Sequence, residues 1–417
     1  MSPLAALFLV VLSLARAASP RPVPRVALLS TGGTIDMSGT AARSADRPAL
    51  WAGKQATPVF AAPLDSSQIG PREWKTMIGA VERHAAAEGI PAVLKHGTDT
   101  LEQTGLVLSL VFDGRLRAPI VLTGAWAPPD QPGSDAARNL ERAHALASAP
   151  GVPPLVYAVF GDEIHLASRV KKTRVAPEGA APYFESVGGP VGRFDAEGRP
   201  VLSREFLRRA GLWRGLGLEP SAVRFRRVAV ETVRGRLGLA ARGLRVEASE
   251  IPGSLDPVRA ALKLSLLLGS PSHAAEVLTH LAKDLAGEVQ PARQALLSIP
   301  SPKVWPKDVG VVVATQDLSP ARIARAARKL VPALGPAPQG ATMTETIAWA
   351  VRGGVDVVMA TNAFRSPTDL NAYEIGVRLA EAGARDSGGK TLAELLRERP
   401  ERPRLVIVGT GSGHLKL

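Results

Sequence analysis

Short apolar runs that end in glycine and threonine turns constrain the fold of this chain most strongly. The run at residues 25–30 leads into Gly32 and Gly33, and the run at residues 92–94 leads into Gly97. Glycine permits a sharp turn and a close approach of the backbone. Apolar residues at helical spacing follow these turns, so each run predicts a buried strand followed by a helix. Strand, turn and helix units of this kind build parallel sheets, and α/β proteins bind ligands where the strands end.

The predicted fold class is α/β, with a doubly wound, mainly parallel sheet in an N-terminal domain and a smaller α/β C-terminal domain that carries a helical insertion. A chain of 417 residues exceeds one ordinary core, which favours two domains. The alternation continues with strands at residues 119–123 and 155–160 and a helix at residues 135–147. The predicted divisions are an N-terminal catalytic domain at 22–212, a linker at 213–228, and a C-terminal domain at 229–417 with a core-packing insertion near 258–300.

The first residues predict export. Residues 1–17 contain an apolar run that ends in a small-x-small pattern, as in a signal peptide. We therefore expect a periplasmic or secreted protein, and because no other run reaches spanning length, we expect no membrane partner. The chain has no cysteine, which excludes disulfides, thiol nucleophiles and Cys-ligated metals.

Neither the charge distribution nor the spacing of the histidines favours binding of nucleic acid or of a metal. The formal net charge of +13 comes mainly from arginine, with a dense run at residues 199–245, but this run lacks aromatic residues spaced to stack bases. We expect no nucleic-acid partner, although binding to an anionic polymer stays open as a third alternative. The histidines show no metal-ligand spacing, and we interpret residues 162–165 as surface polar residues, so no metal is expected.

Most of the polar chemistry is concentrated in the turn at residues 95–102. Thr98, Asp99 and Thr100 follow Gly97 in a row, and two hydroxyls beside a carboxylate can hold a small polar substrate and relay a proton. The plainer alternative is a capping box, because Asp99 and Glu102 stand three residues apart. A cap needs one polar residue, so the run of three favours a catalytic turn.

Several motifs, taken together, resemble the bacterial L-asparaginase/glutaminase family. They occur in the family's order: Thr31-Gly32-Gly33-Thr34-Ile35, Asp65-Ser66-Ser67, His96-Gly97-Thr98-Asp99-Thr100, Pro119 to Ala125, Ser134-Asp135 with Asn139-Leu140, and Val170-Lys171-Lys172-Thr173 before Phe184 to Pro190. The resemblance covers residues 25–195 and is thin beyond them.

The resemblance implies a role for each matched residue. Thr34 matches the nucleophile on the side-chain amide carbonyl, and Thr98, Asp99 and Lys172 match the group that activates it, although Lys171 can be slid into the place of Lys172. Asp99 would also hold the substrate's α-ammonium. The expected substrate-binding residues are Asp65, Ser66, Ser67 and Gly33. Backbone amides at the glycine turns would serve the oxyanion.

The implied protein is an amidohydrolase that converts L-asparagine to L-aspartate and ammonia, with L-glutamine as a candidate second substrate. It needs no cofactor, and its family members are homo-oligomers, so we expect a dimer or tetramer. Two departures alter the pattern: Trp51 stands about where the family's lid, here expected at residues 41–54, carries a tyrosine, and Trp126-Ala127-Pro128 replaces Met-Arg-Pro. They leave open a secreted amino-acid-binding or interaction protein without turnover.

Overall fold

The structure is a computed structural model, and it describes most of the chain after residue 24. The described residues are 25–38, 43–44, 56–175, 183–233, 236–246, 255–289, 308–314, 318–361, 363, 368, 370 and 374–409. Several features predicted above lie outside them: the signal peptide at 1–17, most of the expected lid including Trp51, and the insertion beyond residue 289.

Strands and helices alternate through the first part of the chain, as predicted. The strands are β1 (Ala27–Ser30), β2 (Met37–Ser38), β3 (Arg43–Ser44), β4 (Thr57–Pro58), β5 (Ala92–Lys95), β6 (Ile120–Thr123), β7 (Val156–Phe160), β8 (Glu163–Leu166), β9 (Val170–Lys172), β10 (Phe184–Ser186), β11 (Gly192–Phe194), β12 (Pro200–Leu202), β13 (Val228–Val233), β14 (Arg236–Ala241), β15 (Leu244–Val246), β16 (Val309–Val313), β17 (Asp356–Thr361) and β18 (Arg404–Gly409). The α-helices are α1 (Pro71–Val81), α2 (Leu101–Phe112), α3 (Ala136–Ser148), α4 (Arg204–Arg209), α5 (Pro257–Gly269), α6 (Pro271–Ala274), α7 (Val277–Ala282), α8 (Pro320–Leu330), α9 (Met343–Arg352), α10 (Glu374–Glu381) and α11 (Leu392–Leu395).

One sheet organises the N-terminal part. Its order is β12-β11-β8-β7-β6-β5-β1-β4. The pairs from β4 to β7 are parallel, whereas β8, β11 and β12 extend the sheet in antiparallel fashion. The predicted mainly parallel α/β sheet is therefore confirmed.

Helices cover both faces of this sheet, because alternate residues of its strands point to opposite sides. Leu94 and Leu122 belong to the hydrophobic core that contains the whole apolar face of α2. Val93 and Val121, one position earlier, belong to a second core with Leu140 and its neighbours on α3. Strands buried on both faces read as continuous apolar runs, which is why they are recognisable in the sequence.

The C-terminal part adds two smaller sheets, ordered β13-β14-β15 and β16-β18-β17. Helix α5 is almost wholly buried and packs against α2 and β13, which places its leucines in the core of the N-terminal part. This part of the predicted insertion is thus a core-packing helix paired with α7. The domain boundaries themselves stay predictions. Among the described residues, no helix is long and apolar enough to cross a membrane.

Candidate active site

Three turns at the carboxyl edge of the sheet meet at two glycines. Gly33 has φ 88°, and a Cβ added there would stand 2.3 Å from the Cα of Gly97. A Cβ on Gly97 would stand 2.6 Å from Oγ of Ser66. The turns after β1, after β4 and after β5 can approach this closely only because both positions lack a side chain. A small cavity remains between them, and it is lined by Gly33, Thr34, Met37, Asp65, Ser66, Gly97, Thr98 and Asp99.

Thr34 opens a 3₁₀ turn, Thr34–Asp36, and lines this cavity. Its side chain is nearly buried, yet among the described residues none forms a hydrogen bond with its hydroxyl. The turn is fixed from behind instead, where the buried carboxylate of Asp36 pairs with Lys95 and accepts a hydrogen bond from Ser30. The Thr34 hydroxyl is therefore held in place by its backbone and is available to a bound substrate.

A second group of polar residues reaches the same cavity through Thr98 and Asp99. The Lys172 ammonium donates to Oγ1 of Thr98 at 2.8 Å and to Oδ1 of Asp99 at 2.9 Å, and all three side chains are buried. The three residues that the sequence assigned to one activating group are thus in mutual contact. Hydroxyl, carboxylate and ammonium in such a line can exchange a proton at the cavity wall.

Lys171 does not take the place of Lys172. Neighbouring residues of β9 point to opposite sides, and Lys171 instead donates to Oε1 of Glu102 at 2.9 Å and lies 3.6 Å from Oδ2 of Asp256. Burial raises the pKa of Glu102, an effect that Lys171 opposes. Burial on its own lowers the pKa of Lys171, but Asp256 and Glu102 outweigh it and the pKa is raised. Of the two lysines, Lys172 is therefore the one that contacts Thr98 and Asp99.

The predicted substrate-binding turn has three residues with different surroundings. Asp65 accepts from the backbone N–H of Ser67 at 2.8 Å and caps the 3₁₀ turn Ser66–Gln68. Oγ of Ser66 accepts from the N–H of Asp99 at 3.1 Å, so this serine joins the turn after β4 to the turn after β5. Asp65 and Ser66 line the cavity, whereas the buried Ser67 does not, and its hydroxyl accepts from Gln68 at 3.1 Å.

His96 supports the turn after β5 as a neutral ring. Its Nδ1 lies 2.6 Å from the carbonyl oxygen of Gly97, which can only accept, so Nδ1 carries the proton. Its Nε2 then accepts from the Thr104 hydroxyl at 2.9 Å, and that hydroxyl accepts from the indole of Trp74 at 2.9 Å. Burial lowers the pKa of His96 to about 4. The ring therefore stabilises the turn that carries Thr98, by joining Gly97 to Thr104.

The loop after β6 forms the support behind Thr98. A Cβ on Gly124 would stand 2.5 Å from the carbonyl oxygen of His96. Asn139 donates to the carbonyl of Gly124 at 3.0 Å and to Asp135 at 2.8 Å, and Asp135 also accepts from Tyr183 at 2.6 Å. The motif Ser134-Asp135 with Asn139-Leu140 thus holds the loop after β6 in place and does not line the cavity.

Sequence reasoning missed the roles of four residues of this site: Asp36, Met37, Lys95 and Glu102. Met37 lines the cavity, and Asp36 and Lys95 brace the Thr34 turn. The capping-box interpretation of Glu102 is wrong, because the helix begins after Thr100 with no side-chain cap, and the Glu102 carboxylate binds β9 instead. The only charged residue of a helix that is otherwise uncharged and mostly apolar was the available signal. In the described part of the chain, no three His, Asp or Glu side chains cluster closely enough to hold a metal ion.

Comparison with known proteins finds a family match over the part of the chain that carries this site. The family profile described as "Asparaginase, N-terminal" matches residues 25–204, which include the residues brought together here up to Lys172. Residues 25–204 belong to the asparaginase family.

Two curated proteins are similar to part of this chain. It is 40% identical over 128 residues to L-asparaginase of Thermococcus kodakarensis, covering 30% of this chain and 37% of that protein. It is 31% identical over 204 residues to a subunit of the glutamyl-tRNA(Gln) amidotransferase of Aeropyrum pernix, covering 45% and 48%. The matched stretch spans about half or less of each of these relatives. The solved thermostable L-asparaginase from Thermococcus kodakarensis is 23% identical over 89% of this chain and 91% of its own, with a TM-score of 0.34.

Proposed function

We propose that this protein is an amidohydrolase that hydrolyses the side-chain amide of L-asparagine to L-aspartate and ammonia, with L-glutamine as a second substrate. The observation that carries the proposal is the contact of Lys172 with Thr98 and Asp99. These two residues and Thr34 line the same cavity, where the Thr34 hydroxyl can react with a bound substrate. Membership of residues 25–204 in the asparaginase family supports the same chemistry.

In the first step, Oγ1 of Thr34 attacks the carbonyl carbon of the amide. A threonine hydroxyl is a weak nucleophile and needs a group that accepts its proton. Thr98 accepts this proton while its own hydroxyl proton passes to Lys172, and Lys172 in turn gives a proton to the Asp99 carboxylate, which holds it. The tetrahedral intermediate collapses when the C–N bond breaks and the departing nitrogen takes up the proton, which leaves an ester on Thr34 and releases ammonia.

In the second step, water attacks the ester carbon and loses a proton through the same group, and Thr34 regains its hydroxyl. We assign the α-ammonium of the substrate to Asp99 and its α-carboxylate to the turn at Ser66 and Ser67. Ser66 and Asp99 both line the cavity, which supports this orientation. Ser67 would need to turn its hydroxyl away from Gln68 to take part.

The relatives named as glutamyl-tRNA(Gln) amidotransferase subunits support a second candidate. In this alternative the chain works with a partner protein, and the ammonia that it releases from an amide is transferred to an acceptor instead of being released into solution. We favour hydrolysis because the same Thr34 and Lys172 chemistry serves both and needs no partner. We further propose that the mature chain is exported and forms a homo-oligomer.

The test is ammonia release by the chain beginning at Ala18, measured separately on L-asparagine, L-glutamine and D-asparagine. We expect L-asparagine to be hydrolysed fastest and L-glutamine more slowly, since one methylene changes the fit by about 1–3 kcal/mol. A preference for L-glutamine with low turnover would instead favour the nitrogen-donor alternative. A folded protein that binds these amino acids and releases no ammonia from any of them would refute both.

A further inference from the structure

The buried charges on the far side of β9 do not line the cavity, yet they are attached to Lys172, which contacts Thr98 and Asp99 of the cavity wall. Glu102 is fully buried in the first turn of α2. Its Oε2 accepts from the backbone N–H of Lys172 at 2.8 Å, and its Oε1 accepts from Lys171 at 2.9 Å and from Gln103 at 3.2 Å. One carboxylate therefore binds both the main chain of the proposed catalytic lysine and the side chain of its neighbour.

Strand β9 lies outside the large sheet, and Val170 packs in the same core as α2, so side-chain contacts rather than sheet pairing join β9 to this helix. Among the described strands it pairs only with β10, in a two-stranded sheet separate from the large one, with Lys172 opposite Phe184. The carboxylate of Glu102 thus joins β9 directly to the helix that follows Thr98 and Asp99. Since one misplacement of about 1 Å can cost a reaction about 100-fold, such a connection bears on catalysis.

The same cluster reaches the C-terminal part of the chain. Lys171 faces Oδ2 of Asp256 at 3.6 Å, while Oδ1 of Asp256 caps α5 by accepting from the N–H groups of Val258 and Arg259 at 3.0 and 3.2 Å. The helix so capped packs on α2. Three elements, α2, β9 and the start of α5, therefore share one buried group of charges.

We propose that Glu102 is a positioning residue, which holds the backbone of Lys172 so that its ammonium reaches Thr98 and Asp99, and that Lys171 and Asp256 hold Glu102 in this role and attach it to α5. This inference rests on the proposed function for its kinetic consequence, but the contact itself is independent of turnover. An isolated buried carboxylate would be costly, and Lys171 compensates its charge.

The test compares two double variants that are both uncharged at these positions. Glu102→Gln with Lys171→Met keeps an oxygen that can accept from the Lys172 N–H, and the new amide N–H can donate to Oε1 of Gln103, which has no hydrogen-bond partner among the described residues. Glu102→Leu with Lys171→Met removes the acceptor. We expect the first to keep kcat within about threefold of wild type and the second to lose about 100-fold in kcat with KM little changed.

A matched control removes another buried ion pair from the same core. Lys263 on α5 pairs with Glu288 at 2.5 Å, and neither residue contacts β9 in the described structure. The double variant Lys263→Met with Glu288→Gln should lose stability and keep the kcat of wild type. This control separates loss of a buried pair from loss of the Lys172 contact.

Hydrogen exchange of the Lys172 amide supplies a readout that does not require turnover. Exchange should accelerate at least tenfold in the leucine variant and stay slow in the glutamine variant. Equal exchange and equal kcat in the two would overturn the inference, as would a folded glutamine variant that has lost activity. If the leucine variant does not fold, Glu102→Met in the same background replaces it. Absence of turnover in the wild type would refute the proposed function alone, and exchange would still decide this inference.

Discussion

The Lys172 ammonium is the charge whose loss should damage the proposed site most. Its side chain is 1% exposed and its partner Asp99 is 8% exposed, so substitution by methionine leaves a buried carboxylate without its cation. We expect Lys172→Met to lower the free energy of unfolding by about 3–5 kcal/mol, since breaking a buried pair leaves one charge uncompensated. Chemical denaturation measures this change, together with ammonia release, which should disappear.

A second variant distinguishes the two roles of Lys172. Adding Asp99→Asn should restore much of the lost stability, because positions 99 and 172 then carry no charge, but it should not restore ammonia release. Lys390→Met is the surface control: Lys390 pairs with Glu398, both are partly exposed, and its loss should cost less than about 1 kcal/mol. Restored activity in the Lys172→Met, Asp99→Asn chain would contradict the assigned chemistry.

At the scale of elements, the site depends on turns that interlock through their glycines. Gly33→Ala places a Cβ against the backbone of Gly97 in a residue with φ 88°. Gly151 is the matched control, since it has φ 77° and nothing within 4 Å of an added Cβ. Thermal unfolding should show that Gly151→Ala costs about 1 kcal/mol of backbone strain and Gly33→Ala substantially more, because the turns must separate. Equal costs would show that the turns are not in contact.

The sequence predicted the elements better than it predicted their side-chain partners. Runs buried on both faces and glycines at sharp turns identified β1, β5 and β6 and the turns that carry Thr34 and Thr98, because these signals are local. The buried ion pairs that support the site join residues distant in sequence: Asp36 pairs with Lys95, and Glu102 pairs with Lys171. No periodicity reports which charged residues will pair when a helix is buried, and the spacing of Glu102 from Asp99 alone indicated a cap.

The choice between Lys171 and Lys172 shows the same limit. Adjacent residues in a strand face opposite sides, but the sequence does not say which side faces the site. The register of β9 against β10 and the position of α2 decide it, and both depend on the assembled fold.

At the scale of the whole molecule, two buried histidines set a pH dependence of stability. Burial lowers the pKa of His96 to about 4 and that of His165 to about 3, the latter with a contribution from Arg193. In the unfolded chain both titrate near 6.5, so below that pH the unfolded state binds more protons than the folded state. The free energy of unfolding should therefore fall as the pH falls from 6.5, by about 2 kcal/mol per histidine at pH 5.

Denaturation at pH 7 and pH 5 measures this loss, and one variant assigns it. His165→Gln should reduce the loss between pH 7 and pH 5 by about 2 kcal/mol, whereas His84→Gln should leave it unchanged because His84 is exposed. A His165→Gln chain that loses as much stability between the two pH values as the wild type would mean that the His165 ring is not buried neutral in solution.

One hydrophobic core joins the N-terminal and C-terminal parts of the described structure. The apolar cluster containing Leu29 and α2 also contains leucines of α5 and Val408 of β18. The proposed site therefore rests on both halves of the chain, and Glu102 stands where they meet.

Ammonia release from L-asparagine by the wild type beside Thr34→Ala tests the central claim most directly. None of the described residues forms a hydrogen bond with the Thr34 hydroxyl, so the variant should fold with unchanged stability. The account predicts turnover in the wild type, a loss of at least about 1000-fold in Thr34→Ala, and partial activity in Thr34→Ser, which keeps a hydroxyl. Full turnover in a folded Thr34→Ala chain would show that another group is the nucleophile.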